Sequence, residues 1–270
     1  MAEISNQAYL LTDQYKDSSN LNARIQLHQR FSTNKYDWHR WVFDQLKIAS
    51  GSQILELGCG PAWLWRNNLD RIPADWHIML SDFSAGMLQE AQRQLSTSQH
   101  PFSFAVIDAQ AIPLADASLD VVIANHMLYH VPDRAKALSE IRRVLKPGGR
   151  FYAATGGEKH LQEAEELLGR VFSESLWNYN DGKKPFTLES GAEELTQWFS
   201  QVTLHLYEDG LVVTEIEPLM AYFLSTRAKS QLVDEKLQKL REIVEQEIAQ
   251  HGSIYITKST GLFEAHKETH

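Results

Sequence analysis

A row of polar residues near the ends of apolar segments could bind a small charged ligand. Four such segments each carry a carboxylate or an amide near the end: Glu56, Asp82, Asp108 and Asn125. A glycine pair, Gly58 and Gly60, follows the first of them. In open α/β sheets the ligand lies outside the carboxyl ends of the strands. These side chains are therefore predicted to meet at one binding site.

The residue types around the glycine pair indicate which nucleotide would bind. A dinucleotide fingerprint requires a third glycine, but the chain has Trp63 at that position. Glu56 would repel a pyrophosphate and would attract an ammonium group. Asp82, at the end of the next segment, suits a pair of ribose hydroxyls. This pattern predicts a positively charged nucleoside without phosphates, a description that S-adenosylmethionine fits.

The elements that must position these residues alternate between strand-like and helix-like patterns. Strands are predicted at 53–58, 77–82, 102–108, 119–125 and 150–155. Helices are predicted at 84–95 and 134–145, the second ended by Pro-Gly-Gly, and another helix could begin in 62–70. This βαβ order predicts a mostly parallel sheet with helices on both faces.

The flanks of this central region follow a different pattern. Residues 1–50 contain no convincing strand, but one predicted helix aligns Leu21, Ile25, His28 and Phe31. Beyond residue 155 we predict helices at 158–171, 216–226 and 231–250, with a polar loop at 178–187. Hairpins are predicted in 202–217, around Asp209-Gly210, and in 256–267. The flanking helices are expected to form a lid over the sheet edge.

Composition narrows the classes of partner and compartment. The 270 residues carry a formal charge of −9 and show no basic stripe, which disfavours nucleic acid and anionic membrane surfaces as partners. Cys59 is the single cysteine, so an intramolecular disulfide is excluded and a cysteine zinc site is disfavoured. The N-terminus does not resemble a signal peptide, and no apolar run is long enough to span a bilayer. A cytoplasmic protein is expected.

Five sequence blocks in order resemble a known family. The stretch 53–155 resembles the class I S-adenosylmethionine-dependent methyltransferases, in the small-molecule branch that includes quinone-biosynthesis enzymes. The blocks are ELGCG (56–60), SDFSAGML (81–88), IDAQAIPL (107–114), LDVVIANHMLYHV (119–131) and LKPGGRF (145–151). The chain departs from the family pattern at Ala62, where a third motif glycine is usual.

The resemblance implies an α/β fold of the Rossmann-like three-layer sandwich type. Its mostly parallel sheet would have seven strands with the last antiparallel, and the tail would supply strands six and seven. Residues 1–45 would form a helical cap. Residues 46–270 would form the cofactor-binding domain, with helical insertions at about 156–198 and 216–250.

The resemblance also implies a role for each cofactor-binding residue. Glu56 and the turn Gly58-Cys59-Gly60 would line the methionine moiety, and Asp82 would bind the ribose. The adenosine would contact Phe83 and Met87, its adenine edge would meet Asp108 and Ala109, and Asn125 would lie under the sulfonium.

Each of these residues also has a purely structural interpretation. Asp82 could cap the helix that begins near Ser84, Asp108 could form a turn, and Asn125 could simply end a strand. Cys59 is interpreted as a small buried turn residue rather than a nucleophile, because no neighbour in sequence would lower its pKa.

Candidates for the acceptor side follow the fourth strand and lie in the N-terminal region. His126 and His130 are candidate catalytic groups, since a histidine could take a proton from an acceptor hydroxyl or amine. Tyr15, His28 and Tyr129 are candidate acceptor-binding residues. No metal is expected, because the histidine pair lacks a third ligand nearby.

These observations predict a methyltransferase that transfers a methyl group from S-adenosylmethionine to a small molecule by in-line displacement, leaving S-adenosylhomocysteine. The acceptor atom, whether O, N or C, and the choice between monomer and homodimer stay open. Alternatives are a non-catalytic sensor or degenerate paralogue that binds the same cofactor, a nicotinamide-dependent dehydrogenase, and a nucleic-acid or protein methyltransferase.

Overall fold

A single sheet of seven strands organises the structure. The computed structural model describes residues 19–172 and 185–269. The strands in chain order are β1 (Gln53–Leu57), β2 (His77–Asp82), β3 (Phe102–Val106), β4 (Leu119–Asn125), β5 (Leu145–Gly156), β6 (Ser200–Val213) and β7 (Ile254–His266). Their order across the sheet is β3-β2-β1-β4-β5-β7-β6.

The strand directions confirm the predicted fold class. β3, β2, β1, β4 and β5 pair in parallel. β7 lies antiparallel between β5 and β6, so it is the one reversed strand of this sheet. Strand order reverses between β1 and β4, whose neighbouring carboxyl ends therefore form the crevice in which such folds bind ligands.

Helices cover both faces of the sheet. In the described parts of the chain the α-helices are α1 (Ser19–Phe31), α2 (Trp38–Gln45), α3 (Trp63–Arg66), α4 (Ala85–Gln94), α5 (Arg134–Val144), α6 (Gln162–Gly169), α7 (Leu188–Leu195), α8 (Ile216–Leu224) and α9 (Asp234–His251). Alternate residues of β4 point into different cores: Val122 packs with α5 and α7, and Val121 packs with α2 and α4. This alternation is that of a strand buried on both faces.

A third apolar core joins the flanking helices to one end of the sheet. It combines residues of α1, α6, α8 and α9 with the ends of β6 and β7, including Leu27, Leu211, Phe223 and Val244. After α1 the chain bonds to the edge strand, where Thr33 N donates to Gly210 O at 2.8 Å. The described flanks therefore pack beside the sheet as a helical layer, near the carboxyl ends of its parallel strands.

The hairpin predicted around Asp209-Gly210 is wrong. β6 continues straight through both residues and pairs with β7 along its length. The Asp209 carboxylate is satisfied by Lys258 on the opposite strand rather than by a turn. A Cβ on Gly210 would lie 2.8 Å from Cζ of Tyr255, so the glycine makes room for a ring across the strands. The Asp-Gly pair, which is typical of turns, is therefore explained here by packing between neighbouring strands.

Other predicted elements differ in extent. The hairpin predicted in 256–267 is also wrong, because that segment belongs to the single strand β7. In 62–70 the helix is only one turn, α3, followed by the 3-10 turn Leu69–Arg71. The predicted polar loop at 178–187 falls mostly outside the described residues. No described helix is long and apolar enough to cross a membrane.

Candidate functional site

The carboxyl ends of β1, β2 and β4 bring three of the predicted side chains together. Nδ2 of Asn125 lies 3.4 Å from Oε1 of Glu56. The Asp82 carboxylate accepts a hydrogen bond from Gly60 N at 2.9 Å, which fastens the glycine turn to the end of β2. The crossover between β1 and β4 thus gathers residues that are far apart in sequence into one crevice.

The turn after β1 has left-handed backbone at three alternate positions. Gly58, Gly60 and Ala62 have φ of 68°, 52° and 62°. Left-handed backbone costs a non-glycine residue roughly 1–2 kcal/mol. Ala62 tolerates this conformation while its methyl group is fully buried in the core beside Trp65. The alanine therefore adopts the backbone that the usual motif glycine would adopt.

Gly58 also meets a steric limit, which leads to a test. A Cβ at this position would lie 2.8 Å from Cβ of Met127, an atom that cannot move without its backbone. We expect Gly58→Ala to lower the free energy of unfolding by about 3 kcal/mol, from left-handed strain plus overpacking. Gly51 is the matched control, because its φ is 71° and no atom would lie within 4 Å of its Cβ. Gly51→Ala should cost about 1 kcal/mol in urea unfolding, and equal costs would contradict the steric explanation.

Glu56 is a buried carboxyl group whose hydrogen-bond partners in the described parts of the chain are neutral. Its side chain accepts a hydrogen bond from Nε1 of Trp65 at 2.6 Å. Burial raises the pKa of Glu56 to about 7, the negative charge of Asp82 adds to the rise, and hydrogen bonds from Trp65 and Asn125 oppose it. A cationic ligand group would favour the ionised form, so Glu56 could hold an ammonium.

Asp82 accepts two backbone hydrogen bonds where β2 ends. Oδ2 faces Gly60 N, and Oδ1 accepts from Ser84 N at 2.8 Å. Burial raises the pKa of Asp82 against the effect of these backbone N–H groups. The N-cap of α4 is Ser84, whose side chain accepts from Met87 N, so Asp82 is not the capping residue. Phe83 adjoins Asp82, while Met87 is buried in the first turn of α4.

Two further predicted residues lie at the ends of β3 and β4. The Asp108 carboxylate accepts a hydrogen bond from Gln110 N at 2.9 Å, which shapes the turn after β3, and Ala109 is buried beside it. Oδ1 of Asn125 is buried, and it has no hydrogen-bond partner in the described parts of the protein. Such an orphan acceptor is costly unless a ligand donates to it.

The thiol of Cys59 faces the core rather than a reaction partner. Burial raises its pKa well above the usual value, and the charges of Asp82 and Glu56 raise it further. The thiol is therefore neutral near pH 7 and unsuited to nucleophilic attack. This result agrees with its interpretation as a buried turn residue.

His126 follows Asn125 in a strained backbone conformation. Its φ is 53°, and its N–H donates to Ala154 O on β5 at 3.0 Å. The imidazole lies against Trp38 of α2, with ring centroids 5.4 Å apart. Burial lowers the pKa of His126 to about 4, helped by His39, Lys258 and His130. The imidazole is therefore neutral at pH 7 and could accept a proton or a hydrogen bond.

The remaining acceptor-side candidates fall in several places. Tyr129 and His130 have adjacent rings, 4.5 Å between centroids, and Tyr129 packs on the core that α5 shares with the sheet. His28 lies on α1, close enough to His126 for their charges to interact. Tyr15 lies outside the described residues. The structure therefore brings His28, but not the ring of Tyr129, to the side where His126 meets Trp38.

Four residues of this neighbourhood escaped sequence reasoning: His160, Tyr207, Asp209 and Lys258. Tyr207 packs edge-on against Trp38 at 5.1 Å, and Nζ of Lys258 lies 5.6 Å from the centre of the Tyr207 ring. His160 follows the end of β5, a position that could have marked it as a strand-end residue. The other three lie within strands that were predicted as hairpins, so their register was not readable.

The donor set fits a nucleoside with an ammonium group better than it fits a metal. Within the described residues, Glu56 and Asp82 are carboxyl groups without a cationic partner, and Oδ1 of Asn125 has no hydrogen-bond donor. In residues 19–172 and 185–269, no cluster of three or more His, Cys, Asp or Glu side chains could hold a metal ion.

Comparison with known proteins decides the family. The model of a methyltransferase domain family matches residues 55–153, the span from β1 into β5. The matched span is a methyltransferase domain, and it supports the resemblance of this chain to the class I S-adenosylmethionine-dependent methyltransferases. The family match supports S-adenosylmethionine as the cofactor.

Two curated relatives are methyltransferases named for menaquinone or ubiquinone biosynthesis. The chain is 26% identical over 183 residues to demethylmenaquinone methyltransferase of Lactiplantibacillus plantarum, covering 61% of this chain and 75% of the relative. It is 31% identical over 116 residues to the ubiquinone/menaquinone biosynthesis C-methyltransferase UbiE of Hahella chejuensis. That match covers 42% of this chain and 47% of the relative, so the chain spans about half of that relative's length.

Solved structures share the fold of the methyltransferase. Phosphoethanolamine N-methyltransferase 2 of Haemonchus contortus, in complex with S-adenosyl-L-methionine, matches with a TM-score of 0.61 and 17% identity. The match covers 99% of this chain and 60% of that chain. The cyclase SpnF matches with a TM-score of 0.55 and 15% identity, covering 89% of this chain and 86% of that chain. At these identities the likeness concerns the fold alone.

Proposed function

We propose that this protein transfers the methyl group of S-adenosylmethionine to a small-molecule acceptor. The observation that carries the proposal is the crevice between β1 and β4. There the side-chain oxygens of Glu56, Asp82 and Asn125 can accept hydrogen bonds from a ligand. They surround the left-handed turn at Gly58 and Gly60. The family match supports S-adenosylmethionine as the ligand of this crevice. The names of the relatives support a small organic molecule as the methyl acceptor, and the particular substrates that they name belong to those proteins.

Each residue of the crevice receives a role in this proposal. Glu56 holds the cofactor ammonium, the backbone of Gly58, Cys59 and Gly60 borders the methionine moiety, and Asn125 lies toward the sulfonium. Asp82 accepts the ribose hydroxyls, while the remaining nucleoside contacts come from Phe83, Met87, Asp108 and Ala109. The bound cofactor supplies a methyl group activated by its sulfonium.

On the acceptor side, residues of the protein orient the acceptor and accept its proton. The neutral imidazole of His126 can take a proton from an acceptor hydroxyl or amine, and the rings of Trp38 and Tyr207 exclude water from the same place. Holding two reactants in line can supply roughly 7–11 kcal/mol of the barrier. Positioning is therefore the main contribution of the protein.

Formation of S-adenosylhomocysteine tests the proposal. The protein would be incubated with methyl-labelled cofactor and a panel of phenols, carboxylic acids, amines and quinols. We expect label in one acceptor class, with one S-adenosylhomocysteine formed per methyl group transferred. Cofactor binding without transfer to any class would favour the non-catalytic sensor. The cyclase SpnF shows that this fold is compatible with chemistry other than methyl transfer.

The pH dependence of cofactor binding tests the role of Glu56. Its pKa of about 7 in the free protein means that acid keeps it neutral, whereas the ligand ammonium requires the carboxylate. Affinity for S-adenosylhomocysteine should therefore rise with pH and level off above 7, falling about tenfold per pH unit below that value. Calorimetry would measure it.

Two controls isolate this effect. Methylthioadenosine lacks the ammonium, so its affinity should stay flat through the same range. Glu56→Gln should bind S-adenosylhomocysteine more weakly and without the pH dependence. A Glu56→Gln protein that kept the wild-type pH profile would show that another group is responsible.

A further inference from the structure

Three histidines and one lysine from distant parts of the chain meet beside the crevice. They are His28 on α1, His126 after β4, His160 after β5 and Lys258 on β7. The charge of Lys258 acts on all three imidazoles, and the charge of His126 acts on His28 and His160. We name these four residues the basic cluster.

Contacts with neighbouring residues hold three members of the cluster. His160 Nδ1 accepts a hydrogen bond from Ser259 N at 3.2 Å, so its Nε2 carries the proton and is a donor. Nζ of Lys258 lies 3.4 Å from Oγ of Ser32, in the segment that follows α1. The ring of His126 rests on Trp38. The donors of the cluster are therefore fixed in place before any ligand arrives.

Unused hydrogen-bonding capacity remains inside this neighbourhood. Nδ1 of His28 is buried, and it has no hydrogen-bond partner among the residues that the structure describes. The same is true of Oγ1 of Thr260, on β7 two residues after Lys258. Buried polar atoms without partners are rare, and each calls for a ligand or an ordered water.

The charge balance selects the sign of the ligand. The groups whose charges act on the three imidazoles, within the described ranges, are the cluster itself, His39, His130 and Asp209. Asp209 is the one acid among them, and its fully buried carboxylate already accepts bonds from Lys258, Ser32 and Asn34 N. Among the residues that the structure describes, a cation would find no free carboxylate there, whereas an anion would find donors and a buried ammonium.

We propose that the basic cluster binds a negatively charged oxygen group of the methyl acceptor, with the aromatic rings of Trp38 and Tyr207 beside it. This inference rests on the proposed function, because it assigns the cluster to the acceptor of the same reaction. The acceptor is therefore an organic acid whose carboxylate, phosphate or phenolate lies toward His28 and His160.

Protons should follow the anion into the site. Burial holds the pKa of His160 at about 3 and that of His126 at about 4, and it holds that of His28 well below its usual value. A nearby anion favours the imidazolium form, so it raises these pKa values. Binding at pH 7 is thus expected to take up protons from the buffer.

Calorimetry on protein saturated with S-adenosylhomocysteine tests the inference. Benzoate is the probe, and benzamide is its neutral counterpart with the same ring. We expect benzoate to bind at least about tenfold more tightly than benzamide, with proton uptake revealed by two buffers of different ionisation enthalpy. Inorganic phosphate and 4-nitrophenol, whose absorbance reports the phenolate, show which oxyanion the cluster prefers.

Variants connect the effect to the cluster. His160→Gln and His28→Gln should each weaken benzoate binding about tenfold, reduce proton uptake and leave benzamide binding unchanged. His77→Gln is the matched control, since His77 is exposed at the start of β2. Lys258 is left intact because its loss would bury the charge of Asp209.

The outcomes separate the two proposals. Equal binding of benzoate and benzamide, no binding of any oxyanion, or wild-type benzoate affinity in both histidine variants would overturn this inference alone. Absence of S-adenosylhomocysteine binding would instead overturn the proposed function.

Discussion

Replacing Asp82 with alanine is expected to weaken S-adenosylhomocysteine binding at least about 100-fold. A buried carboxylate that accepts two ribose hydroxyls makes two charge-assisted hydrogen bonds, each worth about 1.5–3 kcal/mol. The variant also loses the bond to Gly60 N, so the glycine turn is no longer fastened to β2. Isothermal titration calorimetry would measure the dissociation constant.

Asp120→Ala is the matched control for this result. Asp120 lies near the start of β4, at the amino ends of the parallel strands, where it accepts a hydrogen bond from Gln53 N and forms an ion pair with Lys146. The control should lose some stability and keep wild-type affinity. If Asp82→Ala bound within threefold of wild type while Asp120→Ala folded normally, the ribose assignment would be wrong.

Lys258→Met is expected to lower the free energy of unfolding by at least about 3 kcal/mol, the cost of removing one partner of a buried ion pair. The Lys258 side chain is 9% exposed and that of Asp209 is 0% exposed, so the remaining carboxylate could not reach water. Burial alone would raise the pKa of Asp209, but hydrogen bonds from Lys258 and Ser32 outweigh it and lower the pKa to about 2. Urea unfolding at pH 7 would measure the change.

The pH dependence of the same pair has a defined sign. Because the pKa of Asp209 is lower in the folded protein than the roughly 3.9 of an unfolded aspartate, its stabilisation is complete above pH 4. That stabilisation should disappear as the pH falls from about 4 toward 2.

Two further variants separate the buried pair from a simple loss of charge. Lys258→Met combined with Asp209→Asn should be more stable than Lys258→Met alone, because no unpaired charge remains buried. Lys47→Met is the surface control: Lys47 is 61% exposed, and its partner Glu264 keeps Arg150 at 2.6 Å. We expect it to cost less than about 1 kcal/mol, and a cost equal to that of Lys258→Met would contradict the explanation.

The central part of the fold was predictable from sequence because its signals are local. Continuous apolar runs such as that of β4 are typical of strands buried on both faces. A polar residue at the end of each run then lies at the carboxyl edge of a parallel sheet. Glu56, Asp82 and Asn125 were therefore predicted together, and their carboxylate and amide chemistry indicated the cofactor before any geometry was known.

The far end of the sheet was not predictable in the same way. An aspartate followed by a glycine favours a turn when judged locally, yet in β6 the aspartate pairs with Lys258 and the glycine makes room for Tyr255. Both reasons lie on another strand, about 50 residues later in the chain. Local turn propensity does not include contacts between residues that are far apart in sequence.

The sequence by itself therefore determined the α/β class, the strand ends and the cofactor chemistry, because each depends on residues close in sequence and on the periodicity of apolar residues. Only the tertiary structure decided the acceptor side. His28, His126, His160 and Lys258 come from a flanking helix, from the segments after β4 and β5, and from β7. They lie near one another because α1 packs beside the ends of β6 and β7. The electrostatics of that neighbourhood, with burial keeping its imidazoles neutral, exist only once the chain has folded.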